Sequence, residues 1–258
     1  MNERAAGGAD VLGPLWHVEG GHTLFAGPLA YNASHAHGAP VYLAGLYGSF
    51  RIRMRGEPWI TCRTAFVPAG VAHELDLGGD PLGVVYREPD SDGSAALAPL
   101  VLDARETGGA LVGQRGEIRA LRALYEDRQA TRWAGAALAD LSAFSGRRAV
   151  RPLDDRIAWV VSRLRERQDS TMSAQRLAAS VGLSASRMQH LFTEQVGVPF
   201  RRYRAWARMR SAIGAIVEGG TFTHAAHGAG FADQAHFAND FRKTFGAPAS
   251  RSLLGIRR

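Results

Sequence analysis

The sequence predicts an α+β chain of two domains: a strand-rich first half, a pair of linker helices, and an all-α second half. Short apolar runs broken by Gly, Pro and Asp fill residues 16–86, which suits strands and turns. Apolar residues at helical spacing take over from about Ile118. A pattern of helix, Gly turn and helix is written twice between Ser173 and Phe245. At 258 residues the chain is long enough to bury two cores. The expected divisions are a strand-rich domain at 1–113, a helical linker at 114–150 and a tandem helix-turn-helix domain at 151–258.

Within the first half, Phe50-Arg51-Ile52-Arg53-Met54-Arg55 alternates strictly. Phe50, Ile52 and Met54 therefore point inward and the three arginines form a solvated or interface face. The single cysteine, Cys62, excludes an internal disulfide and reads as a buried structural thiol in a strand. Residues 90–113, rich in Asp, Gly, Ala and Pro, read as irregular chain with one further strand at Leu100-Val101-Leu102. The chain opens with no basic-then-apolar leader and holds no run fit to span a bilayer, so the expected location is cytoplasmic.

Three histidines stand out. His35 and His37, two residues apart in an extended segment, share a face, and Pro68-Ala69-Gly70-Val71-Ala72-His73 brings a third after a Pro/Gly turn. Over residues 20–88 these motifs resemble the cupin barrel, with its H-x-H and P-x-G-x-x-H signatures. Gly48 matches the glycine that closes the first motif, but Val41 and Tyr42 stand where its glutamate is expected. Three imidazoles facing one cavity can hold Zn, Fe, Mn or Ni, which makes a divalent metal one reading of His35, His37 and His73. The other makes the same residues the pocket of a small organic effector.

The linker carries Ile118, Leu121, Leu124 and Tyr125, then a second helix from Trp133 to Phe144 with Leu138 and Leu141. These apolar faces either pack back on the barrel or form a dimer seam; the seam is the expectation. Ser145-Gly146-Arg147-Arg148, with Pro152, reads as the interdomain connection.

Charge divides the chain. Residues 151–258 hold 17 Arg+Lys against 8 Asp+Glu, whereas residues 1–150 hold 14 against 16. A positive field confined to the half with the repeated motif is the footprint of a polyanion binder. There a first helix is expected from Asp154 to Arg167 and Ser173 caps the next. Gly182 and Gly230 supply the positive φ that ends the first helix of each unit. Ser184 caps a helix from Ala185 to Gln195 whose Met188, Leu191 and Phe192 face inward, exposing Ser186, Arg187, Gln189, His190 and Thr193. The matching helix of the second unit, Asp233 to Thr244, exposes Gln234, His236, Asn239, Arg242 and Lys243. Gln, His and Arg suit groove edges and phosphates, and Arg242 and Lys243 suit phosphates best. Between the units a helix from Phe200 to Val217 carries Arg201, Arg202, Arg204, Arg208 and Arg210. At about 1.5 Å per residue it is roughly 27 Å long, near the spacing of successive major grooves.

Residues 154–254 resemble the AraC/XylS-type transcription regulators. The match runs through Leu177-Ala178, Gly182-x-Ser184, Met188-x-x-Leu191-Phe192, Gly197, Tyr203, Arg208, Gly230-Phe231-x-Asp233-Gln234, Phe237, Phe241-Arg242-Lys243, Phe245-Gly246 and Pro248. The resemblance implies base reading by Ser186, Gln189, His190, Gln234, His236 and Asn239, with phosphate contacts from Arg187, Arg201, Arg242 and Lys243. It implies a partner domain, commonly a cupin-like barrel, that senses a ligand or dimerises. It also implies promoter DNA, RNA polymerase and a second copy of the chain as partners, and activation as the family tendency. His190 and Asn239 stand where many members carry Arg, and Arg251 replaces a usual Tyr. The competing reading from another class is a metal-dependent cupin enzyme with a regulatory helical tail. The missing glutamate and the two complete DNA-reading units favour the regulator.

Overall fold

The structure, a computed structural model of the chain, describes residues 12–88, 95–146, 153–166 and 172–257. The connection at Arg147, Arg148 and Pro152 lies outside the described residues, as does the expected end of the first helix at Arg167.

The strands are β1 (Leu15–Glu19), β2 (His22–Pro28), β3 (Tyr31–His35), β4 (Val41–Gly45), β5 (Phe50–Met54), β6 (Ile60–Cys62), β7 (Thr64–Val67), β8 (His73–Asp76) and β9 (Pro81–Arg87). Four shorter ones follow: β10 (Val101–Leu102), β11 (Arg105–Thr107), β12 (Ala110–Gly113) and β13 (Arg115–Gly116). Seven form a sheet in the order β1-β2-β9-β4-β7-β12-β11, and four form a second sheet, β3-β8-β5-β6. All of these pairings are antiparallel.

Alternation explains the layers. Phe25, Leu43 and Val84 of the large sheet share a core with Ile52 and Leu75 of the small one. Their neighbours Leu24, Tyr42 and Val85 point to the opposite face and build a second core. A sheet buried on both faces needs apolar residues at every position, and β4 is buried along its whole length. In β5, Phe50, Ile52 and Met54 are buried, while Arg51 and Arg53 pair with Asp76 and Glu74. Cys62 is buried, and burial pushes its thiol up to about 12.

Two expectations are corrected. The segment read as irregular contains the hairpin β11–β12, whose turn is Gly108-Gly109 with φ of +51° and +80°. Two glycines at positive φ between short strands are a hairpin signal in their own right. The linker helices α1 (Arg119–Glu126) and α2 (Ala134–Gly146) bury Leu121, Leu124, Tyr125, Leu138 and Leu141 in the second core. Those side chains are covered by their own sheet, so the dimer seam expected of them is not there.

The second half consists of α3 (Asp155–Arg165), α4 (Ala174–Ser180), α5 (Ala185–Val196), α6 (Phe200–Val217), α7 (Phe222–Gly228), α8 (Gln234–Phe245) and α9 (Ser250–Leu253). The expected caps Ser173 and Ser184 are present, and Asp233, expected as the first residue of its helix, instead caps α8; each accepts the N–H of the third residue of its helix. No described helix is long and apolar enough to cross a membrane.

Candidate nucleic-acid interface and ligand site

Met188, Leu191 and Phe192 of α5, and Phe237, Phe241 and Phe245 of α8, are buried, and this orients the opposite faces outward. Ser186, Gln189, His190, Gln234 and Asn239 are exposed and His236 half-exposed. Local bonds hold two of them. The Thr223 hydroxyl donates to Gln234 Oε1 at 3.2 Å, and His236 rests edge-on against Phe231 while its Nδ1 accepts the Ala232 N–H at 3.3 Å. Arg187, Arg201, Arg242 and Lys243 are exposed. Lys243 lies 3.4 Å from Asp240, one helical turn away.

The arginines of α6 divide. Arg201 and Arg202 face solvent, and Arg202 also reaches the Gly70 carbonyl at 3.2 Å. Arg208 lies over the Phe231 ring and donates to the Gly230 carbonyl. Arg210, expected to add to the positive surface, is instead buried against the strand-rich domain. It donates to Thr23 Oγ1 at 2.8 Å and to the carbonyls of Gly20 and His22 at 2.6 and 3.1 Å.

Around Arg210 lies a contact between the two halves that sequence reasoning missed. Glu88, 2% exposed at the end of β9, accepts the Trp206 indole N–H at 2.8 Å and the Tyr203 hydroxyl, with Arg210 Nε 3.7 Å away. Burial, then the Glu88 charge, keeps the Tyr203 phenol protonated far above its ordinary range. Tyr203, Trp206 and Arg210 are spaced i, i+3, i+7 and so share one face of α6, a helical stripe visible in the sequence. Its partner Glu88, more than a hundred residues away, leaves no local signal. At the far end of the contact, Asn32 Nδ2 donates to the Phe245 carbonyl and Ala33 N–H to the Gly246 carbonyl. Trp16 Nε1 donates to the Ser252 carbonyl.

The three histidines come together at this contact. His35 and His73 are cross-strand partners on β3 and β8, and His37 follows two residues past the end of β3. Their ring centroids are 4.3–5.3 Å apart and all three are buried. Desolvation pulls His35 down to about 3 and His73 to about 4, and holds His37 well below its ordinary value, with neighbouring imidazoles adding to the shifts of His35 and His37. His37 faces Tyr86, Trp206 and Phe245 at centroid distances of 4.9, 6.3 and 5.6 Å. A cavity of about 30 Å³ beside them is walled by Trp16, Asn32, His35, His37, Phe241 and Phe245, among others, and so draws on both domains. A more open cleft of about 380 Å³ between the domains is lined by Glu19, Arg165, Glu166, Arg210 and Glu218.

Residues 177–253 match a helix-turn-helix domain family. Among solved structures the chain resembles ToxT from Vibrio cholerae. With unsaturated fatty acid bound, ToxT aligns at 13% identity and a TM-score of 0.56, over 92% of this chain and 96% of that one. ToxT from strain O395 aligns at 11% and 0.57, over 91% and 98%. ToxT bound to a methylnaphthalenyl butenoic acid aligns at 10% and 0.54, over 92% and 99%. No curated protein sequence matches significantly. The chain therefore carries a helix-turn-helix domain over residues 177–253, joined to an antiparallel strand-rich domain in the two-domain architecture that ToxT also has.

Proposed function

We propose that the chain is a ligand-responsive, sequence-specific DNA-binding transcription regulator. The observation that carries this reading is the outward polar face of α5 and α8, six candidate readers on two capped helices joined by the 18-residue α6. Ser186, Gln189 and His190 read base edges in one major groove, and Gln234, His236 and Asn239 read the next. Arg187, Arg201, Arg242 and Lys243 contact phosphates. The buried histidine cluster is the sensing site, and the likeness to ToxT, solved with a fatty acid bound, supports a sensing domain in this layout. DNA as partner places the protein in the cytoplasm. Activation, with RNA polymerase as contact, follows the AraC-type pattern, and a homodimer would use a surface other than the buried faces of α1 and α2.

The test is duplex binding across salt. Affinity for a selected site should fall by orders of magnitude between 50 and 200 mM salt, as counterion release at several phosphates requires. A folded protein with no salt-sensitive affinity for any duplex would sink the reading.

Readout and anchoring should separate. Gln189→Ala should cost about 1–3 kcal/mol at the cognate site and relax preference at one or two base pairs. Arg242→Ala should weaken all sequences alike and lower the salt slope by about one. Equal losses on cognate and random duplexes for both variants would remove Gln189 from the reading face.

A further inference from the structure

We propose that Asp240 sets the specificity of the second DNA-reading unit: it positions the His236 ring, holds Lys243 back from the phosphates and fastens α8 to α6. This rests on the regulator reading above, in which His236 reads a base and Lys243 anchors.

Asp240 belongs to neither the reading nor the anchoring set, yet basic side chains converge on its carboxylate. Its Oδ2 lies 3.5 Å from His236 Nε2 and 4.0 Å from Arg208 Nη2, and its Oδ1 lies 3.4 Å from Lys243 Nζ. His236, Asp240 and Lys243 are spaced i, i+4, i+7 and so form one stripe along α8. Arg208 comes from α6, where it donates to the Gly230 carbonyl at 3.2 Å and covers the Phe231 ring. Through Arg208 the carboxylate ties the middle of α8 both to α6 and to the turn before α8.

The His236 ring is set from two sides. Its Nδ1 accepts the Ala232 N–H at 3.3 Å, so the proton of the neutral ring sits on Nε2, which faces Asp240 Oδ2. A ring held in that tautomer is a donor towards DNA. It suits guanine O6 and N7 and offers no acceptor to the exocyclic amines of adenine and cytosine. At 3.5 Å the Asp240 contact is longer than a hydrogen bond, so it orients Nε2–H and leaves it able to donate to a base.

Charge supplies the other half of the argument. A carboxylate on a DNA-facing helix repels phosphates whatever the sequence. Lys243 must also leave Asp240 before it can reach a phosphate. Specificity is a difference of affinities, and it rises when binding to the wrong partner is penalised. Asp240 therefore lowers affinity for random duplex and raises base preference through the same contacts. A residue that only stabilised α8 would move both in one direction.

The experiment compares full-length wild type with Asp240→Asn, which keeps the shape and removes the charge. The probes are a duplex selected by the wild type from a random pool, its single-base variants, and random duplex, each across salt. Asp240→Asn should bind random duplex about threefold tighter, with a salt slope steeper by about one, as one more phosphate contact requires. Its preference at one base pair should fall about tenfold. In a His236→Ala background the same substitution should still tighten random binding but leave base preference unchanged, because Asp240 acts on the base through His236. Equal weakening on selected and random duplexes, or no change on either, overturns the proposal. A loss of preference as large with His236→Ala as without it makes Asp240 itself the reader and also overturns it. Nitrogen-15 NMR of the wild-type ring tests the geometry without any variant: a proton on His236 Nε2 is expected, and a proton on Nδ1 overturns the positioning. Wild type without salt-sensitive duplex affinity overturns the regulator reading and this proposal together, whereas every other adverse result leaves that reading standing.

Discussion

Glu88→Ala should weaken the docking of the two domains by about 3–5 kcal/mol, the cost of leaving a buried charge without its counter-charge. The substitution removes the acceptor for Trp206 Nε1 and the Tyr203 hydroxyl and strands Arg210, which is 8% exposed. Glu88→Gln, which keeps an acceptor oxygen but not the charge, should cost less. Denaturant unfolding followed by tryptophan fluorescence is the measurement, because Trp206 sits in the contact. In the alanine variant a single transition should split in two, the first accompanied by a change in Trp206 emission. A loss below about 1 kcal/mol with unchanged emission would mean that the hub contributes no more than an exposed ion pair does.

Gly246→Ala should destabilise far more than Gly197→Ala, although the two glycines do the same local job. Gly197 caps α5 and Gly246 caps α8, each in the left-handed region, with φ of +83° and +71°. A side chain in that conformation costs about 1–2 kcal/mol at either position. At Gly197 an added Cβ meets nothing within 4 Å. At Gly246 it would lie 2.2 Å from the Ala33 carbonyl oxygen, 2.7 Å from His35 Nδ1 and 2.9 Å from the Ala33 nitrogen. Backbone atoms cannot rotate away, so the end of α8 must lift off β3 and lose the Ala33 N–H bond to the Gly246 carbonyl. The difference between the two unfolding free energies isolates this contact, and equal losses would show that it carries no energy.

Much of this architecture was legible because it is written locally. Caps at Ser173 and Ser184, turn glycines and phenylalanines at helical spacing each act within a few residues. The helix bounds in the second half therefore fall within about two residues of expectation. The convergence of His35 and His73 was legible through motif spacing, and cross-strand register explains it. The hairpin at Gly108-Gly109 was lost because three-residue strands carry too little alternation to outweigh the surrounding turn residues. The faces of α1 and α2 are ambiguous in the sequence for a different reason. An amphipathic stripe states that it will be buried and says nothing of which surface buries it. The sequence presents Arg210 as surface charge because its neutralising partner is distant in sequence, and a paired buried arginine looks the same as an exposed one until the fold is known.

The seating of Gly246 on β3 bears on attempts to build chimeras by transplanting this helix-turn-helix region onto another strand-rich domain. The join that matters is not the connection near residue 150 but the surface where Ala33, Asn32, Trp16 and Glu88 meet the end of α8, the segment after it and one face of α6. A foreign strand-rich domain with a side chain in place of Gly38 would place its Cβ 2.5 Å from that of Trp206. Exchange should therefore succeed only when the whole contact is carried across, which makes the pair of domains, rather than either one, the transferable unit.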